Sequence, residues 1–139
     1  MKYLNRPING FTLIELMIAV AILAIIMGIA IPSYTQYVLE SGRADAKTGL
    51  YGAAQMLERC FTRNSSYSGC PGAASYPRNT ENDKYSISIS AVADTSFTVT
   101  ATPIGAQTKD TECGEFTLTH TGQKGAKSGT VPAVIEECW

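Results

Sequence analysis

Residues 16–31 read Leu-Met-Ile-Ala-Val-Ala-Ile-Leu-Ala-Ile-Ile-Met-Gly-Ile-Ala-Ile, without one polar side chain. A helix of this sequence is apolar on every face and must be buried in lipid or among other helices. Taken from Phe11, the segment spans about 31 Å at ~1.5 Å per residue, against a hydrocarbon core of roughly 30 Å. Further along, the period persists but the pattern becomes one-sided. Leu50, Ala53, Ala54, Leu57 and Phe61 fall at i, i+3, i+4, i+7 and i+11, with Gln55, Glu58, Arg59 and Arg63 off the stripe. The pattern predicts one helix over residues 11–61 whose second half packs on something in the same chain. Pro32 removes a backbone donor and predicts a kink within this helix. Gly28, Gly42, Gly49 and Gly52 each cost a helix interior roughly 1 kcal/mol relative to Ala.

Beyond residue 84 the period changes to two. Tyr85, Ile87, Ile89 and Ala91 alternate with Ser86, Ser88 and Ser90; Phe97, Val99 and Ala101 with Thr98, Thr100 and Thr102; Phe116 and Leu118 with Thr117 and Thr119. That is the pattern of an antiparallel sheet with one wet face. Its apolar face needs a cover, and the half-helix stripe provides one. Leu57 and Phe61 against Ile87, Ile89, Phe97, Val99 and Leu118 form the expected core. The class is α+β, with a long N-terminal helix on a small antiparallel sheet of three or four strands. Residues 62–84 read as an irregular αβ-loop, and residues 121–137 as a second irregular stretch inside the C-terminal region 85–139.

The chain has 139 residues, with 11 Lys and Arg against 12 Asp and Glu, and a net charge of −1. This balance gives no bulk signal for nucleic acid. Lys2 and Arg6 precede the apolar run and no acid does so before Glu15, which favours a cytoplasmic N-terminus. A removed secretory signal fits poorly: its apolar region would be shorter, and Gly28-Ile29-Ala30 lies inside the run rather than after it. Glu15 is the anomaly. A carboxylate at mid-membrane costs roughly 2.5–3.5 kcal/mol, and a lone ionisable group there calls for a named partner. The plain alternative is an acid favoured by the helix N-terminus.

The stretch Gly10-Phe11-Thr12-Leu13-Ile14-Glu15-Leu16, behind a short basic leader and followed by Pro32 and Tyr34, resembles the type IV prepilin signature. The resemblance implies that residues 1–10 are a leader and that prepilin peptidase cuts between Gly10 and Phe11. It implies N-methylation of the new Phe11 amine. Residues 11–32 would be the membrane and polymerisation half of the helix, residues 33–61 its amphipathic half, and the whole a pilin roll. In that family the carboxylate matching Glu15 meets the N-terminal amine of a neighbouring subunit. Physically, such a pair cancels two charges that a helix-packed core would otherwise hold unpaired, and it specifies register more than it adds stability.

The implied partners are other pilin subunits, prepilin peptidase and the inner-membrane assembly machinery. The implied location is a bacterial inner membrane, single-pass with the head in the periplasm, then an extracellular fibre. Residues 101–103, 110–114 and 121–126 with the terminal Cys138-Trp139 look closest to the PilE-type minor pilins. The function expected is that of a structural subunit of a type IV pilus, a minor pilin serving adhesion and twitching motility. Alternatives are a major pilin, a type II secretion pseudopilin and a DNA-uptake pilin. The last needs a basic stripe. Lys109, Lys124 and Lys127 could begin one, but Asp110, Glu112, Glu115, Glu136 and Glu137 lie beside them. Removing Lys2 and Arg6 with the leader leaves 9 basic residues against 12 acidic ones, which argues against nucleic acid.

Four cysteines allow three pairings. The favoured one is Cys60–Cys70, tying the helix end to the αβ-loop, with Cys113–Cys138, whose loop resembles the disulfide-bounded D-region of type IV pilins. An exported head keeps such bridges. With no CxxC and one histidine, the sequence offers no zinc motif, and it offers no cofactor site and no catalytic constellation. His120 reads as a solvated residue on the polar side of a strand end. Trp139 is either packed near Cys138 or exposed at a partner surface.

Overall fold

A computed structural model describes residues 10–127 and 129–139. Residues 1–9 of the expected leader, Lys2 and Arg6 among them, lie outside the described residues. The chain divides into two compact units, Met1–Gln36 and Tyr37–Trp139. Helix α1, Leu13–Asn64, contributes to both.

In the first unit the α1 residues are exposed along the whole apolar run, from Leu13 to Ile31. The helix opens on Thr12, whose Oγ1 accepts the Glu15 amide at 3.3 Å, one of the donors a helix start leaves unpaired. It continues through Pro32 rather than ending there. Thr35 Oγ1 donates to the Ile31 carbonyl at 3.1 Å, one turn back.

In the second unit, α1 covers a five-stranded antiparallel sheet in sequential order: β1 Arg78–Asn79, β2 Tyr85–Ser90, β3 Thr98–Pro103, β4 Phe116–Thr119 and β5 Lys124–Ala126. The three alternating segments form the centre, with Val99 opposite Ile89 on β2 and Leu118 on β4. Ala46, Leu50, Ala53 and Leu57 of α1 are buried with Tyr85, Ile87, Phe97, Val99, Ala101, Phe116 and Leu118. Ala54, Phe61 and Ile89 are partly buried at its edge.

The strand count exceeds the expected three or four. Strand β1 lies inside the segment expected to be irregular; it has two residues, both exposed, so no alternation marks it. Strand β5 has three residues with Gly125 at its centre, and its backbone lies so close to Thr117 that a side chain at 125 would overlap it. A short helix α2, Pro132–Cys138, occupies the C-terminal stretch expected to be irregular. Seven residues make too few turns for an apolar period to show, although Pro132 stands in the first turn, where its missing N–H costs nothing. Helix α1 also runs to Asn64 rather than Phe61, because an extra, exposed turn carries no apolar signal.

Two helix glycines have a packing reason. A Cβ on Gly42 would overlap the amide of Gln107, and one on Gly49 would lie 2.8 Å from Ile87 Cδ1. The helix approaches the head through these gaps.

Candidate functional site

The first candidate site is the exposed apolar helix of the first unit. Phe11 is 85% exposed, and Leu13, Ile14, Leu16 and Met17 follow it in the open. Glu15 sits in the first turn of α1, where the partial positive charge of the helix start favours an acid. The helix is long and apolar enough to cross a membrane. Gly10 and Phe11 precede its first turn. Without lipid or other helices, burial worth roughly 25 cal/mol per Å2 of apolar surface is left unrealised, so this segment is built to be covered.

Among the described residues, two bridges and one buried ionic network hold the head. Cys60 and Cys70 are bonded, with 6.0 Å between their Cα atoms, at the end of α1. Cys113 and Cys138 are bonded, with 5.5 Å between Cα atoms, joining the approach to β4 to the end of α2. The network was not anticipated. Arg43 Nε donates to Asp110 Oδ2 at 2.7 Å, and Nη2 donates to Asp110 Oδ1 at 2.9 Å and to Glu112 Oε2 at 3.0 Å. The Cys113 amide donates to Asp110 Oδ1 at 3.2 Å. Gln107 Nε2 donates to the Leu39 carbonyl at 3.0 Å and to Tyr85 Oη at 3.2 Å.

Burial alone would raise the Asp110 carboxyl, but the Arg43 guanidinium and the Cys113 amide outweigh it and hold the group below the usual carboxylate range. The same hydrogen bonds hold Arg43 above its ordinary value. Burial pushes the Tyr85 hydroxyl up to about 12. A signal for Arg43 did exist in the sequence: Arg43, Ala46, Leu50, Ala53 and Leu57 extend the apolar stripe backwards at helical spacing. An arginine on a buried stripe demands a partner.

Trp139 packs. Its ring meets Tyr51 at 6.1 Å and Phe116 at 5.7 Å, edge-on, and its Nε1 donates to the Gly125 carbonyl at 3.0 Å. The Lys124 ammonium lies 5.0 Å over that ring, and Lys47 Nζ donates to the Trp139 carbonyl at 2.9 Å. Burial, then the charges of Arg43 and Lys124, push Lys47 down. His120 is exposed, its ring 6.3 Å from that of Phe97. Lys124 is thus engaged with Trp139, while Lys109 and Lys127 remain exposed.

A lipid-length apolar helix continuing into a helix that covers an antiparallel sheet, with a disulfide closing the C-terminal region, defines a pilin. The chain belongs to the type IV pilin family. Residues 32–117 match the family model described as type IV minor pilin ComP, DNA uptake sequence receptor, and residues 5–31 match the prokaryotic N-terminal methylation motif. The chain is 34% identical over 117 residues to a fimbrial protein of Dichelobacter nodosus, covering 80% of this chain and 69% of that one. It is 36% identical over 89 residues to the type IV major pilin protein PilA of Myxococcus xanthus, covering 64% of this chain and 40% of that protein. With the fimbrial protein EcpC of Eikenella corrodens it shares 37% identity over 101 residues, spanning 65% of that protein. In fold, it is similar to the Neisseria meningitidis non-core minor pilin PilV, with a TM-score of 0.54 and 21% identity, covering 68% of this chain and 90% of that one. These relatives are pilin and fimbrial proteins, and the chain spans only about 40% of PilA and 65% of EcpC.

Proposed function

We propose that this chain is a minor pilin, stored in the bacterial inner membrane with its head in the periplasm and assembled into a type IV pilus through its apolar helix. The observation that carries this reading is the exposed apolar surface of α1 from Leu13 to Ile31, which lipid or neighbouring helices can cover. Prepilin peptidase cuts between Gly10 and Phe11, and the Phe11 amine is methylated. The freed amine of one subunit then pairs with Glu15 of another and sets the axial stagger between neighbours. Pro32 loosens the helix backbone where it packs. Glu15→Val tests the pairing: the variant inserts in the membrane and is processed, but its amount in sheared fibres falls at least tenfold. Normal incorporation contradicts the pairing. A ratio of this chain to its companions near unity in those fibres would make it a major subunit instead.

A second reading, that the head captures DNA during uptake, is supported by the description of the family model matched over residues 32–117. Its test is salt-dependent binding of DNA by the chain.

A further inference from the structure

Two clefts abut on the head beside α1. One, of about 390 Å3, is lined by Arg59, Arg78, Ser75, Tyr76 and Asn79 among others. The second, of about 520 Å3, is lined by Arg59, Arg63, Asn64 and Pro71 with Cys60. Met56, Arg59 and Gly72 line both, so the two form one groove between α1 and the segment leading to β1. Gly72 lies directly against the Met56 side chain; a Cβ there would sit 2.5 Å from its sulfur. Met56 and Gly72 thus touch where the two clefts adjoin.

Arg59, Arg63 and Arg78 are all exposed. Among the described residues, the ion pairs within 4 Å are those of Arg43 with Asp110 and Glu112, so none of the three groove arginines is neutralised by a carboxylate. Arg78 lies over the Tyr76 ring, 5.8 Å from its centroid, in a cation–π contact. Arg59 and Arg63 stand one helical turn apart, about 6 Å along the axis, comparable to the separation of successive phosphates on a strand. Guanidinium forks match phosphate oxygens two by two. Among the described residues the second cleft has no acid in its lining, and of the two clefts Asp45 and Glu81 line the first alone. The slight negative charge of the whole chain conceals this local separation of sign.

We propose that this groove binds the phosphodiester backbone of DNA, with Arg59, Arg63 and Arg78 contacting successive phosphates. The proposal rests on the DNA-capture reading and assigns it a surface other than Lys109, Lys124 and Lys127. The three arginines supply backbone contacts, which position a duplex without reading its sequence.

The test uses the full chain in a zwitterionic detergent and a short fluorescein-labelled duplex, with anisotropy read across a salt series. Each lost phosphate contact lowers the slope of log affinity against log salt by about 0.9. R59Q/R63Q/R78Q is expected to weaken binding more than tenfold at low salt and to reduce the slope by about 2 to 3. R59K/R63K/R78K is expected to keep most of that slope, and K109Q/K127Q to bind within about twofold of the parent. Thermal unfolding of each variant establishes that the head is intact, and R63Q alone, at the exposed end of α1, gives the same readout with one contact removed. A parent that binds while the triple glutamine variant binds equally, with an unchanged slope, overturns the groove and leaves DNA capture standing. A parent that does not bind the duplex at all overturns both.

Discussion

The guanidinium of Arg43 and the carboxylate of Asp110 meet in a two-pronged pair across 67 residues of sequence, with contacts of 2.7 and 2.9 Å. Both side chains are buried, at 8% and 1% exposure. One end of the pair is on the helix and the other leads directly into Cys113. The pair thus fixes the start of the disulfide-closed C-terminal region to α1. Removing one partner of a buried pair strands the other charge. Asp110→Asn is therefore expected to cost about 3–5 kcal/mol of head stability in urea unfolding. Glu112→Gln is expected to cost less, because that carboxylate is 59% exposed. Equal losses in the two variants would refute a buried pair.

The same pair makes the head acid-sensitive. Asp110 binds its proton more weakly in the folded head than in the unfolded chain. Its contribution is complete above the unfolded carboxyl value, about pH 4, and is lost as pH falls through the lower folded value. Thermal midpoints measured downward from pH 5 should drop for the parent, with a shallower drop in Asp110→Asn. Parallel profiles would contradict the linkage.

The helix glycines separate by what faces them. Gly42→Ala gains roughly 1 kcal/mol of helix propensity but forces a methyl into Gln107, an overpacking cost of about 1–3 kcal/mol. Gln107 is buried and tied to Leu39 and Tyr85, so it has little room to yield. Net destabilisation is expected. Gly52 has nothing within 4 Å of a Cβ, and Gly52→Ala should raise stability by about 0.5–1 kcal/mol. Chemical denaturation of the two variants, shifting in opposite directions, checks the contrast.

Each bridge closes a loop of the unfolded chain. With sequence separations of 10 and 25, chain entropy assigns them roughly 3 and 3.5 kcal/mol. Native protein should alkylate at no cysteine, and reduced, unfolded protein at Cys60, Cys70, Cys113 and Cys138. Cys113→Ser/Cys138→Ser should destabilise the head more than Cys60→Ser/Cys70→Ser. The reverse order would show that the longer loop is not the stronger constraint.

Much of this architecture is legible in residue order because it is periodic. Leu50, Ala53 and Leu57 announce a helix face, and Ile87, Val99 and Leu118 announce one side of a sheet. What was not legible is short or non-local. Strands β1 and β5 and helix α2 span too few residues to display a period. The Arg43–Asp110 pair depends on two distant segments meeting, although an arginine on an apolar stripe was a sign that a partner must exist. The packing of Trp139 against Tyr51 and Phe116 follows from α2, a helix that no apolar period announces. Basic residues counted over the whole chain balance the acids, so the grouping of Arg59, Arg63 and Arg78 along adjoining clefts leaves no mark on the charge total.

A retained apolar helix, covered by its neighbours in a polymer, is the basis of the proposed function. The intact mass of this chain recovered from sheared surface fibres tests that most directly. The expected species begins at Phe11, carries one added methyl group and contains two intact disulfides. A mature chain that begins after Ile31, or fibres that lack this chain while it circulates as a monomer without the helix, would contradict it.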